Sequence, residues 1–355
     1  MILGRSAGMT YQEVLTAAGT VFSSYCKACP VCNGKACKNR VPGPGAKGVG
    51  DVAIRNYEKW QEIRVNMDTL TENAPADTSC TIFGKTFRYP IFAGPVGAVK
   101  LHYGPRYTDM EYNDILVPAC RDAGIAAFTG DGSDPHVMEA AAAAIEKNEG
   151  FGIPTVKPWN KETVDEKLKL IKKSGAFAAA MDIDAAGLPF LRNLTPPAGR
   201  KSVGQLREII DVFRARSIPF IVKGIMTVRG AKKAIEAGAS GIVVSNHGGR
   251  VQDQCPATAE VLKEIADAVR AEAPEVKILV DGGLRSGVDI FKALALGADA
   301  VLIARPYVTV VYGGGAEGVS ILTEKLGQEL ADTMSMCGAS KLSDITADML
   351  WRNGN

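Results

Sequence analysis

From residue 89 onward, runs of consecutive apolar residues alternate with segments whose apolar positions recur every three to four residues. The apolar runs predict eight strands, at 89–95, 124–130, 152–158, 177–184, 219–224, 241–246, 276–282 and 299–304. They are nearly continuously apolar rather than alternating, as strands covered on both faces should be. Between them the helical pattern carries its own punctuation. Thr227 is placed to cap "VRGAKKAIEA", which stops at Gly238, and Thr258 to cap "AEVLKEIADAVRAEA", which stops near Pro274. "VKGIMTVRGAKKAIEAGASGIVVS" and "VDGGLRSGVDIFKALALGADAVLIA" repeat one order of strand, glycine turn and helix. Eight such units in this length predict an α/β fold of the (β/α)8 TIM barrel type, with a doubly wound sheet as the alternative.

Residues 1–88 break the rhythm. "TYQEVLTAAGTVFSSY" and "DVAIRNYEKWQEI" read as helices, separated by a cysteine block and the loop "VPGPGAKGVG". The expected organisation is therefore an N-terminal extension (1–88) packed on a barrel (89–355) whose outside is closed by the helix "EGVSILTEKLGQELADTMSMCGA". The loop contains G-x-G-x-x-G at Gly43, Gly45 and Gly48, but no strand precedes it and Pro44 lies inside it. A dinucleotide fingerprint needs a strand before it and a helix after it, so a flexible loop is the better reading.

Composition excludes several classes of function. The 355 residues carry 41 basic and 39 acidic side chains, a net charge of +2, which leaves no electrostatic footprint for nucleic acid. Neither a signal peptide nor an apolar run long enough to span a membrane is evident, so a cytoplasmic location is the default expectation. Eight cysteines spread over such a chain point to thiols or metal ligands rather than disulfides. Four of them, Cys26, Cys29, Cys32 and Cys37, form C-x2-C-x2-C-x4-C. This spacing suits an iron–sulfur cluster, a tetrahedral zinc or redox-active thiols, and the sequence leaves the three open.

In a barrel, polar residues at the C-terminal strand ends point into the active-site mouth. That rule selects Thr129, Thr155, Lys157, Asp182, Asp184, Lys223, His247, Arg250, Asp281, Arg285 and Arg305. His247 stands between Asn246 and a Gly-Gly-Arg turn, where an imidazole can take a proton while Arg250 holds a carboxylate. His102 and His136 fall in loops without such company and are read as ordinary. Gly282 and Gly283, with Arg285 and Arg305, suit a phosphate at the seventh and eighth strands.

"VKG" (222–224), "SNHGGR" (245–250), "DGGLRSG" (281–287), "FKALALGADAV" (291–301) and "RP" (305–306) resemble the FMN-dependent 2-hydroxy acid oxidase and dehydrogenase family, which includes glycolate oxidase, lactate oxidase and flavocytochrome-type lactate dehydrogenases. The resemblance implies an FMN barrel that oxidises a small 2-hydroxy acid to the 2-oxo acid and passes the electrons to a further acceptor. It implies His247 as base, Asp184 as stabiliser of its imidazolium, Arg250 as carboxylate anchor and Lys223 beside the flavin. It places Pro95, Val96, Gly97, Thr129, Thr155, Asp182, Asp281, Gly283, Arg285, Ala304 and Arg305 around the cofactor, and Tyr25 and Lys157 near the substrate. A tetrameric homo-oligomer is implied as well.

The departures are specific. Thr155 and Lys157 stand where the family usually has glutamine and tyrosine, and Ala304 replaces a glycine. After Asp184 only Arg192 and Arg200 are candidates for a second carboxylate contact, and the cysteine block has no counterpart. The alternatives are another FMN barrel activity, such as type 2 isopentenyl diphosphate isomerase, or a non-catalytic flavin- or metal-binding protein.

Overall fold

A computed structural model describes residues 8–188, 191, 193–194 and 198–351. All eight apolar runs form strands: β1 (Ile91–Ala93), β2 (Ala126–Thr129), β3 (Ile153–Val156), β4 (Ala179–Asp182), β5 (Phe220–Ile225), β6 (Gly241–Val244), β7 (Lys277–Val280) and β8 (Ala300–Ile303). They pair in chain order, all parallel, and β8 returns to β1 with Val301 opposite Ile91, which closes the barrel. The doubly wound alternative is thereby excluded.

Alternate residues of each strand face the barrel interior. Phe92, Phe128, Ile221, Val243, Leu279 and Leu302 fill it and are fully or almost fully buried. At the N-terminal end a hairpin, Cys80–Ile82 with Lys85–Phe87, inserts Ile82 and Phe87 beneath this layer. The Phe87 ring meets Phe92 edge to face at 4.9 Å, and Phe92 in turn meets Phe128 at 5.6 Å. The floor of the barrel is thus aromatic and apolar, which leaves the opposite end for chemistry.

The N-terminal segment packs against the barrel at two places. Helix α1 (Tyr11–Phe22) starts at a capping box in which Thr10 and Glu13 satisfy each other's backbone N–H groups. It lies along α3 (Arg305–Met336), where the Phe22 and Tyr312 rings stack at 4.7 Å. Helix α2 (Asp51–Glu62) buries Trp60, whose indole N–H donates to the Gly282 carbonyl over 2.8 Å. The chain end joins the same side, with Arg64–Val65 antiparallel to Leu350–Trp351. Among the described residues no helix is long and apolar enough to cross a membrane.

Thr227 caps its helix as expected, its hydroxyl accepting from Gly230 N–H at 3.0 Å, and Gly238 ends that helix in the left-handed region. Thr258 does not cap: Ala257 takes that position, and the Thr258 hydroxyl donates to the Asp281 carbonyl at 2.6 Å. A buried carbonyl at the end of β7 needs a donor, and this demand outweighs the local capping preference. Residues 43–50 form turns, not a nucleotide loop, and they are held by the barrel: Lys47 N–H donates to Gly249 O and Lys47 Nζ to Val251 O.

Phe87 is 1% exposed and its ring contacts lie at the end of the barrel opposite the polar mouth. Phe87→Ala should cost about 3–5 kcal/mol of unfolding free energy, as for other buried phenylalanine truncations. Denaturant unfolding would measure it; a loss under about 1 kcal/mol would mean that the hairpin does not close the floor.

Candidate active site

β5 supplies the first functional group by way of an irregularity. Its pairing with β6 shifts between Lys223 and Ile225, and Gly224 lies between them at φ 100°. A Cβ at Gly224 would stand 2.5 Å from the Asp184 side chain, so only glycine lets these two segments meet. Lys223 consequently points into the mouth, donating to Ser245 Oγ at 2.8 Å and lying 3.3 Å from Asp281 Oδ2. Burial disfavours its charge, but Asp281, Asp184 and Asp182 together outweigh that effect and hold its pKa above the ordinary lysine value.

At the end of β6 the backbone turns abruptly. His247, Gly248 and Gly249 all have positive φ, and a Cβ at Gly249 would be 2.9 Å from the α2 backbone. His247 itself therefore occupies a conformation uncommon for a side-chain-bearing residue, a form of strain that clusters at functional sites. Its backbone N–H donates to Ser245 Oγ at 3.0 Å, and Nδ1 is 3.1 Å from Asp184 Oδ1. With Asp184 on Nδ1, the free lone pair of a neutral ring is on Nε2. Burial, followed by the Lys223 and Lys157 charges, pushes the His247 pKa well below 6.5. Burial likewise raises Asp182 and Asp184.

Lys157 and Asp182 form a buried ion pair at 2.5 Å, and Asp182 Oδ2 is 3.9 Å from His247 Nε2. Asp131 holds the backbone of this strand end: it accepts from Lys157 N–H, Trp159 Nε1 and Lys167 Nζ. Sequence reading passed over Asp131 because its partners are scattered along the chain. Asp182, Asp184 and His247 also form a group whose donor atoms lie within 4.8 Å of one another. Lys157 beside Asp182 gives that group a cation already.

One cavity collects most of the expected residues. It is lined by Lys157, Lys223, His247 and Arg250 on the chemical side, and by Pro95, Val96, Gly97, Asp281, Gly283, Arg285, Ala304 and Arg305 around the rest. Thr129, Thr155 and Asp182 lie buried at the ends of the same strands, outside the lining itself. Ala304 packs its methyl against Gly94, which has no side chain to oppose it, so the family glycine is exchanged for alanine without a clash. Arg305 begins α3 and donates to the Gly248 and Gly45 carbonyls, while Arg285 donates to the carbonyls of Cys32 and Leu284.

Some expectations are corrected. Tyr25 is not in the mouth: it is 39% exposed and its ring packs on Gly104. Tyr103, from the loop helix Val99–Tyr103, lines the cavity in its place. His102, read as ordinary, is also there; its Nδ1 accepts from Gly43 N–H at 3.0 Å and faces Arg250 Nη2 at 3.5 Å. Burial and then the Arg250 charge push its pKa down to about 3. Arg250 lines the cavity, but its Nη1 donates to the Gly43 and Gly45 carbonyls, so only part of the fork is available for a carboxylate. Of the two arginines considered after Asp184, Arg200 is exposed and away from the cavity, and Arg192 lies outside the described residues. His136 is a surface side chain paired with Glu139.

A profile of the FMN-dependent dehydrogenase family matches residues 44–193 and 198–352. The chain belongs to that family. The match begins after the cysteine block. A peroxisomal (S)-2-hydroxy-acid oxidase of Oryza sativa subsp. japonica is 30% identical over 84% of this chain and 87% of its own length. An L-lactate oxidase of Roseobacter sp. is 47% identical over a segment covering 38% of this chain and 35% of that protein. Among solved structures, a mandelate oxidase variant with a monooxide FMN adduct superposes with a TM-score of 0.70 and 29% identity, covering 88% of this chain and 94% of the other. A flavocytochrome b2 variant, 22% identical, shares the fold with a TM-score of 0.77 over 97% and 86%.

The residues fit FMN on their own evidence. Thr129 Oγ1, Thr155 Oγ1 and Asp281 Oδ1 are buried at the barrel mouth with no hydrogen-bond partner among the described residues. Orphaned polar atoms at the C-terminal ends of β2, β3 and β7, one of them on the cavity wall, are what a polar cofactor would satisfy. The helix N-terminus at Arg305 suits its phosphate.

The neutral, buried His102 makes a stability prediction. Between its folded pKa of about 3 and the ordinary 6.5, the unfolded chain binds a proton that the folded one does not. Its contribution is therefore complete above pH 6.5 and is lost as pH falls toward 3. His247 acts in the same direction, and the raised Asp182 and Asp184 act against it. His102→Gln, which keeps an acceptor for Gly43 N–H, should flatten the fall of the denaturation midpoint between pH 6.5 and 4; parallel curves for the two proteins would count against a buried neutral imidazole.

Proposed function

We propose that the protein oxidises a small 2-hydroxy acid to the 2-oxo acid with FMN held in the barrel mouth. The observation that carries this reading is the convergence of Lys223, His247 and Arg250 on one cavity, with Asp184 on the far nitrogen of the imidazole. Bound FMN supplies a two-electron acceptor.

Each side chain then has a defined task. Arg250 Nη2 holds the substrate carboxylate, its orientation fixed by the Gly43 and Gly45 carbonyls. His247 Nε2 removes a proton from the substrate, and Asp184 stabilises the imidazolium that results. Lys223 would place a fixed positive charge beside bound FMN. Asp281, Gly283, Arg285 and Arg305, with Thr129 and Thr155, would hold the cofactor, and Pro95, Val96, Gly97 and Ala304 would shape the cavity wall beside it. Lys157 is neutralised by Asp182, so it orders the site more than it recruits an anion. That pairing weakens the isomerase alternative, which would use Lys157 for a diphosphate. Leu101, Leu188 and Leu191 give the cavity an apolar side, which favours a substrate with a small apolar side chain over a second charge.

His247→Ala is expected to retain FMN and to slow flavin reduction by 2-hydroxy acids about 10²- to 10⁴-fold. Anaerobic stopped-flow bleaching with lactate, glycolate and mandelate would test it, and rapid bleaching by the variant would remove His247 as the base. In the native enzyme the second-order rate of bleaching reports the free enzyme. Because the His247 pKa lies well below 6.5, that rate should stay level as pH falls through 6.5 and drop only in more acidic solution. A half-maximal rate at or above pH 6.5 would contradict the buried neutral ring.

A further inference from the structure

The cysteine block is the motif that neither the family nor the barrel chemistry absorbs. Its four side chains line one cavity of about 250 Å³ beside the barrel, between α1, α2 and the start of α3. All four are partly buried rather than surface thiols. Yet among the described residues the ligand group with donor atoms within 4.8 Å is Asp182, Asp184 and His247, not any three of these sulfurs. A single zinc with Zn–S bonds of about 2.3 Å needs its four sulfurs about 3.8 Å apart. Four thiols set around one cavity, with no three of them as close together as a single zinc requires, fit a larger inorganic core.

The position of the cavity is the second observation. Tyr103, Arg285, Ile303 and Arg305 line both it and the barrel mouth, so they form a shared wall between the cysteines and the flavin site. Arg285 bridges the two directly, donating through Nε to the Cys32 carbonyl and lying 3.8 Å from Cys32 Sγ through Nη2. The block itself carries Lys27, Lys35, Lys38 and Arg40. Cations inside and outside the ring offset the negative charge of four thiolates.

We propose that Cys26, Cys29, Cys32 and Cys37 ligate a [4Fe–4S] cluster that serves as the one-electron outlet for the flavin across the Tyr103–Arg285 wall. This rests, for its electron source, on the 2-hydroxy acid reading above. Oxidation of the substrate breaks one C–H and one O–H bond and makes the second C–O bond of the oxo group, releasing two electrons and two protons. The flavin takes the electron pair; two single transfers through the cluster then reduce two equivalents of a one-electron acceptor, and both protons pass to solvent. A relay that delivers electrons one at a time suits a small one-electron redox protein as acceptor, with negative charge to match the lysines of the block.

The experiment uses the full-length holoenzyme, purified anaerobically. About four iron and four acid-labile sulfide per chain are expected, together with an EPR signal on dithionite reduction and a visible band beyond that of FMN. The double variant Cys26→Ser/Cys29→Ser should lose iron, sulfide and that signal, keep FMN and its bleaching by 2-hydroxy acid, and reduce oxidised flavodoxin at least tenfold more slowly. Removing the cluster from the native enzyme by chelation under oxidant, then rebuilding it with iron and sulfide, gives the same comparison without a mutation. Absence of iron and sulfide after reconstitution, zinc in their place, or unchanged flavodoxin reduction without the cluster would each overturn the proposal. Should iron, sulfide and the EPR signal be present while no 2-hydroxy acid bleaches the flavin, the cluster stands and the substrate reading falls.

Discussion

The structure at the barrel mouth is governed by the cost of burying charge. Three cations (Lys157, Lys223, Arg250) and three carboxylates (Asp182, Asp184, Asp281) are brought together from strands β3 to β7 in a space largely closed to water. An isolated ion there would be prohibitive, so each must find an opposite charge or a dense set of hydrogen bonds. Lys157 finds Asp182, Lys223 finds Asp281 and Ser245, and Arg250 finds backbone carbonyls. The imidazole of His247 sits among these pairs and is kept neutral by them together with its burial. A proton acceptor is thereby available at ordinary pH without an external activator.

The same constraint explains why the barrel needs its N-terminal segment. Arg250 and Arg305 project from strand ends that offer them no carboxylate partner in the hydrogen bonds they make. Residues 43–45 cross over the mouth and present carbonyl oxygens to both, while Gly43 N–H engages His102. Asn56 of α2 pairs with Asn246 through two amide hydrogen bonds and fixes the residue before His247. A barrel without this strap would leave two guanidinium groups poorly satisfied and the His247 imidazole poorly oriented. The loop that resembles a nucleotide fingerprint is instead part of the electrostatic closure of the site.

Much of this was legible in the sequence because it follows from local rules. Strands buried on both faces must be apolar throughout, and all eight were found from that pattern. Polar residues at their C-terminal ends had to face the mouth, which located Lys223, His247, Arg250 and Asp281 without coordinates. What stayed hidden depends on contacts distant along the chain. Thr258 looks like a cap until the Asp281 carbonyl claims its hydroxyl. His102 looks ordinary until Gly43 and Arg250, 59 and 148 residues away, converge on it. Tyr25, which the resemblance put near the substrate, packs its ring on Gly104 instead, while Tyr103, which no sequence pattern marked, lines the cavity.

The departures from the family pattern become coherent when taken together. A lysine in place of a phenol adds a charge at the mouth, and Asp182 pairs with it directly while also lying 3.9 Å from His247 Nε2, so the added cation is opposed but still felt at the imidazole. Alanine in place of glycine before Arg305 adds a methyl, and Gly94 opposite makes room for it. Neither exchange disturbs the wall formed by Tyr103, Ile303, Arg285 and Arg305, and it is this wall that the cysteine segment abuts. Arg285, which a phosphate would claim from one side, is already anchored from the other by Cys32. One guanidinium thus ties the geometry of the sulfur cavity to that of the cofactor, so that any group filling the first is felt at the second through a single rigid contact.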